Sequence, residues 1–132
     1  MFLSRACEYA IQAILYVAKQ EDREYVSVRE IAEKNNLSAH FLGKVVQILT
    51  KEGLVHSYKG PKGGISLARP AEEINLMQII GAVDGLDFCT KCLIGLPHCG
   101  DDKPCAIHNQ WGKIRGDVCT MLESTTVAQL IH

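Results

Sequence analysis

Several features of membrane proteins and of common enzymes are missing from this 132-residue sequence. It has no run of 18 apolar residues, which argues against a transmembrane helix. The apolar stretch "AIQAILYVA" is interrupted by Gln12 and follows Glu8, so it indicates an amphipathic helix and not a signal peptide. No grouping of serine, histidine and acid indicates a hydrolase. We therefore expect a cytoplasmic protein that is not an enzyme and that has neither a small-molecule substrate nor a membrane partner.

The sequence also has little net charge, only −1, but the charge is unevenly distributed. Between Ser38 and Arg69, Glu52 is the single acid, and the window carries +4, so the remainder must carry −5. The basic residues of this window are Lys44, Lys51, Lys59, Lys62 and Arg69. A local basic segment is typical of a surface that binds DNA, although a solvated lysine face would have the same composition.

Helical periodicity and caps predict three helices in the first half. Residues 4–20 repeat apolar positions at helical spacing. "SVRE" predicts a capping box in which Ser27 caps a short second helix, ending near Lys34, and Glu30 reaches back. Ser38 is expected to cap a third helix, which ends before Gly53. Its predicted buried side consists of Phe41, Leu42, Val45, Ile48 and Leu49. A short turn between the last two helices indicates a helix-turn-helix.

Two short strands are predicted after the third helix, in "LVHSYKG" and "GISLARP", with Val55, Ile65 and Leu67 facing inward. The glycines between them lack the order G-x-x-x-x-G-K-[ST], so a nucleotide-binding loop is rejected. The expected fold class is therefore mostly α with a small β wing: a winged helix-turn-helix domain followed by a long C-terminal dimerisation helix. We expect DNA contacts from the third helix and from the wing, namely Ser38, His40, Lys44, Lys59, Lys62 and Gly63.

The second half predicts a helix capped by Asn75 and ending near Asp84, then a cysteine-rich loop, then a helix over about 105–123. The last helix has apolar residues at alternating steps of four and three: Ile107, Trp111, Ile114, Val118 and Met121. This heptad row predicts a dimer contact, although a contact within the chain would show the same spacing. The expected divisions are 1–85 for the DNA-binding domain and the helix after it, 86–104 for the loop, and 105–132 for the dimerisation helix and tail.

The cysteine loop, "CTKCLIGLPHCGDDKPCAIH", holds four cysteines and two histidines. Thiols in the cytosol stay reduced, so clustered cysteines indicate a metal site before they indicate disulfides. Thiolates, sometimes with one imidazole, hold iron–sulfur clusters, whereas four thiolates including the C-x-x-C of Cys89 and Cys92 would suit zinc. A thiol oxidoreductase is disfavoured because no βαβ unit is predicted. Cys7 and Cys119 fall on predicted helices and are expected to be buried or unreactive.

Along nearly its whole length the sequence resembles the IscR/NsrR-type bacterial transcription regulators, the Rrf2 family. The resemblance is carried by "EYAIQAI", "VREIAEKNNLSAHFLGKVVQILTKEGLV", "YKGPKGGISLARP", "NLMQIIGAVDG", the cysteine loop and "HNQWGKIRGDVCTML". It implies a homodimer that binds double-stranded DNA at a palindromic operator. It also implies an iron–sulfur cluster that senses cluster supply, redox state or nitric oxide.

By the same resemblance, the cluster ligands are Cys92, Cys99 and Cys105, with six residues in the first gap where the family usually has five. The fourth ligand is left open among His108, Glu8 of a partner chain, and Cys89. The C-x-x-H ending favours a two-iron (2Fe–2S) over a four-iron (4Fe–4S) cluster. The alternative is a winged-helix regulator with a structural zinc site, or with no metal and sensing through its thiols.

Overall fold

The computed structural model describes residues 3–132, in which the chain forms six α-helices, one two-stranded antiparallel sheet and two 3-10 helices. The helices are α1 (Arg5–Lys19), α2 (Val28–Lys34), α3 (Ala39–Lys51), α4 (Leu76–Val83), α5 (His108–Ser124) and α6 (Val127–Leu130). The strands are β1 (Val55–Tyr58) and β2 (Gly64–Leu67), and the 3-10 helices are Ala71–Glu73 and Asp87–Cys89.

Helices α2 and α3 begin directly after the capping serines that the sequence predicted. The hydroxyl of Ser27 accepts from the backbone N–H of Glu30, and that of Ser38 accepts from Phe41. These bonds satisfy N–H groups that have no partner within the helix. The prediction that Glu30 completes a capping box with Ser27 is wrong. Its carboxylate instead accepts from the Tyr16 hydroxyl and the Arg23 guanidinium.

The main core lies between α1, α2, α3 and the strands, and its fully buried side chains include Ile14, Ile31, Leu42 and Leu49. The prediction of the buried face of α3 is correct for Leu42, Val45 and Leu49 and wrong for Ile48. Ile48 is 37% exposed, while Val46, which was not predicted, is buried. The buried stripe follows positions 42, 45, 46 and 49, which is the i, i+3, i+4, i+7 pattern of one helix face.

Strands β1 and β2 pair in a hairpin with Val55 opposite Leu67 and Tyr58 opposite Gly64. Val26, just before α2, adds a third segment through paired backbone bonds with Ile65 of 2.9 and 2.8 Å. Val55 and Ile65 are buried as predicted, and Leu67 is half-buried. The helix-turn-helix and this small sheet together form the winged-helix arrangement that the sequence predicted.

Helix α5 begins at His108 and not at residue 105 as predicted. Cys105 belongs to a turn whose carbonyl accepts from the His108 N–H at 3.1 Å, so the chain enters the helix three residues later. Ile107 is consequently the N-cap residue and lies before the helix.

The apolar row of α5 is divided between two environments. Trp111 is buried within the chain, whereas Ile114 and Met121 are each 54% exposed. Leu122, which the heptad row did not include, is buried in a second core with Cys7, Met77 and Ile80.

Within residues 3–132, a search for a helix that combines the length and the hydrophobicity of a membrane span finds none.

Candidate functional site

The start of α3 is fixed against α1 by one tyrosine. The Tyr9 hydroxyl accepts from the backbone N–H of Ser38 at 3.2 Å, and its ring packs edge-to-face on Phe41 with centroids 5.0 Å apart. Tyr9 is itself buried, so the first turn of α3 has a rigid support on its inner side. This contact joins residues 29 positions apart and was not predicted from the sequence.

The predicted DNA-contacting residues are solvent-accessible. Ser38, the N-cap residue of α3, is exposed, and so are His40 and Lys44, which lie on the side of α3 away from its buried stripe. Lys59 and Lys62 are exposed in the loop between β1 and β2. Two cationic side chains on the wing and one on the helix present charge to solvent without a salt bridge to a described carboxylate.

The wing loop requires glycine at two positions. A Cβ added to Gly63 would lie 2.0 Å from the carbonyl oxygen of Tyr58, and one added to Gly64 would lie 2.3 Å from that of Val26. Only a residue without a side chain allows these backbones to approach so closely. The loop is braced by a second contact that sequence reasoning missed, because Tyr58 stacks on Tyr25 with ring centroids 4.9 Å apart.

Three of the predicted cluster ligands converge. The sulfur atoms of Cys92, Cys99 and Cys105 all lie within 4.8 Å of one another, and we call them the three-sulfur group. The sulfurs of Cys92 and Cys105 are 4.0 Å apart. Among the described histidines, cysteines and acids, these form the one set of three that could hold a metal ion. All three residues are half-buried.

Backbone N–H groups make one of these thiols unusually acidic. Hydrogen bonds from the backbone of Leu96, and then of Ile94, lower the pKa of Cys92 to about 7, against the opposing effect of burial. Stabilisation of the negative sulfur by N–H donors is the cause of this shift. Near neutral pH, Cys92 is therefore partly a thiolate, which is the form that binds metal.

The pKa of a second thiol, that of Cys99, is shifted upward. A backbone hydrogen bond from Cys105 lowers the pKa of Cys99, but burial and the neighbouring thiols of Cys105 and Cys92 together raise it. Three thiolates this close to one another repel, so the group resists full deprotonation on its own. A bound cationic centre would remove this repulsion.

His108, at the start of α5, contacts one member of the three-sulfur group, Cys99, but is not itself part of the set that converges within 4.8 Å. Its Nδ1 lies 3.4 Å from the Cys99 sulfur, and its Nε2 lies 3.1 Å from a carboxylate oxygen of Asp101. An ionised carboxylate can only accept, so Nε2 donates to Asp101, and in the neutral imidazole Nδ1 then presents its lone pair toward the sulfur. Asp101, which orients the ring, was not singled out in the sequence.

The other candidate ligands lie elsewhere. Glu8 is exposed on the first turns of α1 and is not part of the three-sulfur group. Cys89 is also outside that group, and its sulfur lies 2.7 Å from the sulfur of Cys119. His98, the sequence neighbour of Cys99, was not a predicted ligand, and it is exposed.

The loop is attached to α5 near its first thiol. The indole N–H of Trp111 donates to the carbonyl oxygen of Lys91 at 3.1 Å, and the Arg115 guanidinium donates to the same oxygen at 3.4 Å. The residue that follows is Cys92, so these bonds hold the start of the three-sulfur group against the long helix. Sequence reasoning missed this contact. The presence of a single tryptophan was the one feature of the sequence that could have indicated it.

Comparison with known proteins identifies the family of this chain. The family model for Rrf2, "Iron-dependent Transcriptional regulator", matches residues 3–132. The chain is 33% identical to the HTH-type transcriptional regulator NsrR of Oceanobacillus iheyensis, with 99% of this chain and 90% of that protein covered. It is 32% identical to the HTH-type transcriptional regulator IscR of Serratia proteamaculans, with 100% and 80% covered.

Among solved structures, the fold is similar to that of CymR (YrzC), the global cysteine regulator of B. subtilis. The TM-score is 0.83 and the identity 30%, over 99% of this chain and 96% of that one. A family match over nearly all of the chain, relatives above 30% identity and the observed winged helix lead to one conclusion. The chain belongs to the Rrf2 family of DNA-binding transcriptional regulators, and its role is regulation, not catalysis.

Proposed function

We propose that this regulator binds DNA as a homodimer and that its affinity for DNA is controlled by an iron–sulfur cluster held at the three-sulfur group. The observation that carries the proposal is the convergence of Cys92, Cys99 and Cys105 within 4.8 Å in a loop that joins two packed helices. Cluster supply, redox state and nitric oxide are the candidate signals, since each alters or removes such a cluster.

The donor set fits an iron–sulfur centre. Thiolates are the usual ligands of these clusters, and one imidazole replaces a thiolate in some of them. Cys92 is already partly a thiolate near neutral pH, and mutual repulsion disfavours three thiolates in the absence of a cation. When bound, a cluster would supply the positive centre that all three sulfurs share and would make the order of the loop depend on its oxidation state.

His108 is the fourth ligand that the geometry supports best. Its Nδ1 lies 3.4 Å from the Cys99 sulfur, and its Nε2 donates to the Asp101 carboxylate. A carboxylate behind a ligating histidine commonly fixes its tautomer and orientation. An imidazole among three thiolates favours a two-iron over a four-iron cluster. Glu8 from a partner chain remains the second candidate, and Cys89 is the third.

A chain of contacts leads from the end of α4, just before the cysteine loop, to α3. Asp84, at the end of α4, accepts from the backbone N–H of Ser4 at 2.9 Å and from its hydroxyl. Ser4 caps α1, and Tyr9 on the same helix supports the first turn of α3 at Ser38. Ordering or release of the loop can thus shift α3 through α4 and α1. Couplings of this kind are typically about 1–3 kcal/mol.

The predicted DNA contacts and the dimer belong to the same proposal. Ser38, His40 and Lys44 face the major groove, while Lys59, Lys62 and the backbone at Gly63 approach phosphates. The exposed Ile114 and Met121 of α5 form the contact between two protomers, which would read a palindromic operator. Such a regulator acts in the bacterial cytoplasm, where its DNA lies.

Zinc is the second candidate for this site, because one sulfur–sulfur distance is close to the one expected around a tetrahedral zinc ion. Zinc–sulfur bonds of about 2.3 Å in a tetrahedron separate the sulfurs by about 3.8 Å. The Cys92 and Cys105 sulfurs are 4.0 Å apart, close to that edge. A site of this kind would be structural, and signalling would then rest on the thiols alone.

A preparation of the protein without oxygen tests whether the three-sulfur group holds an iron–sulfur cluster. Protein purified without oxygen should be coloured, with absorption beyond 400 nm and matching amounts of iron and acid-labile sulfide. Colourless protein with one zinc per chain would identify the rival site. Operators selected from a random duplex pool should be palindromic, and fluorescence anisotropy on them should give different affinities before and after cluster removal. His98→Ala, next to Cys99, is the control that should retain the colour.

A further inference from the structure

The closest pair of sulfur atoms recorded in the described part of the chain is outside the three-sulfur group. The sulfurs of Cys89 and Cys119 are 2.7 Å apart, compared with 4.0 Å between Cys92 and Cys105. All six cysteines are free thiols in this structure. A disulfide bond measures about 2.05 Å, so a small rotation of either side chain would bring this pair to bonding distance.

The two cysteines come from separate elements that pack together. Cys89 ends the 3-10 helix Asp87–Cys89, where the cysteine loop begins, and Cys119 lies in the C-terminal half of α5. Both are half-buried and pack against the second core of Cys7, Met77, Ile80 and Leu122. The packing therefore holds the two sulfurs in place independently of any metal.

We propose that Cys89 and Cys119 are a redox modification site, a dithiol that is oxidised to an intramolecular disulfide and is separate from the three-sulfur group. The proposal goes beyond cluster binding and does not depend on it. It also gives Cys119 a role, whereas its sequence position on a helix predicted an inert thiol.

The oxidation balances with a peroxide as the oxidant. The thiolate of one cysteine attacks a peroxide oxygen, the O–O bond breaks, and a sulfenic acid and hydroxide form. The second thiolate then attacks the sulfenic sulfur, the S–S bond forms, and hydroxide leaves. The two thiol protons neutralise the two hydroxides. In total, two thiols lose two electrons and one hydrogen peroxide becomes two waters.

The environment of the pair makes it a slow sensor. Burial, followed by the hydrogen bond to Cys119, raises the pKa of Cys89 to about 11. The attacking species is the thiolate, so the dithiol persists under mild conditions and reacts when peroxide is abundant or exposure is long. Cys7, fully buried on α1 with its pKa raised by burial to about 12, has no comparable sulfur neighbour among the described cysteines.

The disulfide would enclose the whole three-sulfur group. It would join residue 89, three positions before Cys92, to the middle of a helix that already holds the Lys91 carbonyl through Trp111. The start of the loop would then be tied covalently to α5. Oxidation would thereby limit opening of the loop without consuming any of Cys92, Cys99 and Cys105.

Trypsin digestion separates the relevant cysteines, because cleavage does not occur between Arg69 and Pro70 or between Lys103 and Pro104. Cys89 falls in the peptide 63–91, the three-sulfur group in 92–113, and Cys119 in 116–132. The experiment treats reduced full-length protein with hydrogen peroxide, alkylates the remaining thiols, digests the protein and identifies linked peptides by mass spectrometry.

The expected result is a peptide pair 63–91 plus 116–132 that disappears on reduction, with loss of alkylation at both cysteines. Cys89→Ser and Cys119→Ser should each abolish it, whereas Cys92→Ser should retain it. A link between 63–91 and 92–113 in its place, or full alkylation of Cys89 and Cys119 after peroxide, would overturn the proposal. The visible spectrum of Cys119→Ser should equal that of the wild type, and a changed spectrum would reject the separation of the two sites. Because the peptide result needs no cluster, it stands or fails independently of the proposed function.

Discussion

The winged-helix half and the cysteine loop are built by different physical means. From α1 to β2, helices and strands bury a continuous apolar core around Ile14, Ile31 and Leu49. From Thr90 to Ile107 no residue is fully buried, and Leu93, Ile94 and Leu96 are 53%, 61% and 46% exposed. The first region is stabilised by apolar burial, whereas the second brings three thiols together with little apolar support. The loop is therefore the part whose order can depend on a ligand.

The largest effect should follow from removing one sulfur of the loop. Cys99→Ala should abolish the visible absorption, because two thiolates rarely retain a cluster, and Cys92→Ala and Cys105→Ala should do the same. The free energy of unfolding of the metal-free protein should stay within about 0.5 kcal/mol of wild type, since the loop adds little to the core. Absorption spectra and urea titrations measure the two effects. Colour retained in Cys99→Ala would remove the cluster from this site.

Replacing the fourth ligand should alter the spectrum without abolishing it. His108→Ala should shift the absorption and make the colour more labile, since water or a neighbouring thiol can fill one position. Asp101→Asn should give a weaker change of the same kind, because the ring keeps its place but loses an ionised acceptor. Glu8→Ala and Cys89→Ala should leave the spectrum unchanged. If one of these two shifts the bands and His108→Ala does not, the ligand is that residue.

The next effect concerns the exposed apolar row of α5. Ile114→Asp should convert dimers to monomers in analytical ultracentrifugation, because an unpaired charge buried in an interface costs about 3–5 kcal/mol. Ile114 is 54% exposed in the single chain, so the protomer itself should remain folded. Val118 is less suitable, since it lines an apolar groove of its own chain with Leu3 and Phe88. Thr120→Asp places the same charge on α5 outside the row and should leave the dimer intact.

A matched pair of leucines compares the two regions directly. Leu49→Ala, in the fully buried core, should lower the free energy of unfolding by about 2–5 kcal/mol. Leu93→Ala, in the loop, should change it by less than about 0.5 kcal/mol. Urea unfolding of metal-free protein gives both values. Similar losses from the two variants would contradict the view that apolar burial stabilises only the first region.

The sequence predicted what is encoded locally. Ser27, Ser38 and Asn75 cap helices as expected, and Gly53 and Gly85 follow helices with φ of +76° and +79°. Each of these features depends on a few adjacent residues. The three loop thiols were also predicted, because their spacing in a glycine- and proline-containing segment resembles a known family.

What the sequence could not predict depends on contacts between distant positions. The pairs Tyr9 with Ser38, Lys91 with Trp111, and Cys89 with Cys119 are 20 to 30 residues apart and meet only in the folded chain. Glu30 shows a related limit. Its place in the "SVRE" motif predicted a local bond, but Arg23 and Tyr16 offered a charged and a hydroxyl donor that a backbone N–H could not match.

A substitution in the wing is expected to have a smaller effect on DNA affinity, and this effect should not depend on the DNA sequence. Lys62→Ala should weaken binding to all duplexes and reduce the slope of log K against log salt by about one unit, since one phosphate contact is lost. Fluorescence anisotropy over a salt series measures this slope. Lys113→Ala, an exposed lysine on α5, should leave the slope unchanged. A changed sequence preference with the wild-type slope would mean that Lys62 contacts bases and not the backbone.

The smallest effect tests the ion pair at the edge of the well-packed half. Hydrogen bonds from Arg23 and then from Tyr16 lower the pKa of Glu30 to about 2 from its ordinary 4.5. A depressed carboxyl pKa stabilises the fold at pH values above 4.5, and this contribution is lost as the pH falls through about 2. Arg23 is 39% exposed, so screening by solvent keeps this contribution small. Glu30→Gln should therefore be less stable than wild type at pH 6 in urea unfolding, and the difference should shrink steadily toward pH 2. Glu33→Gln, exposed on the same helix, should show no such convergence. A stability difference that stayed constant across this pH range would mean that Glu30 acts through packing and not through its charge.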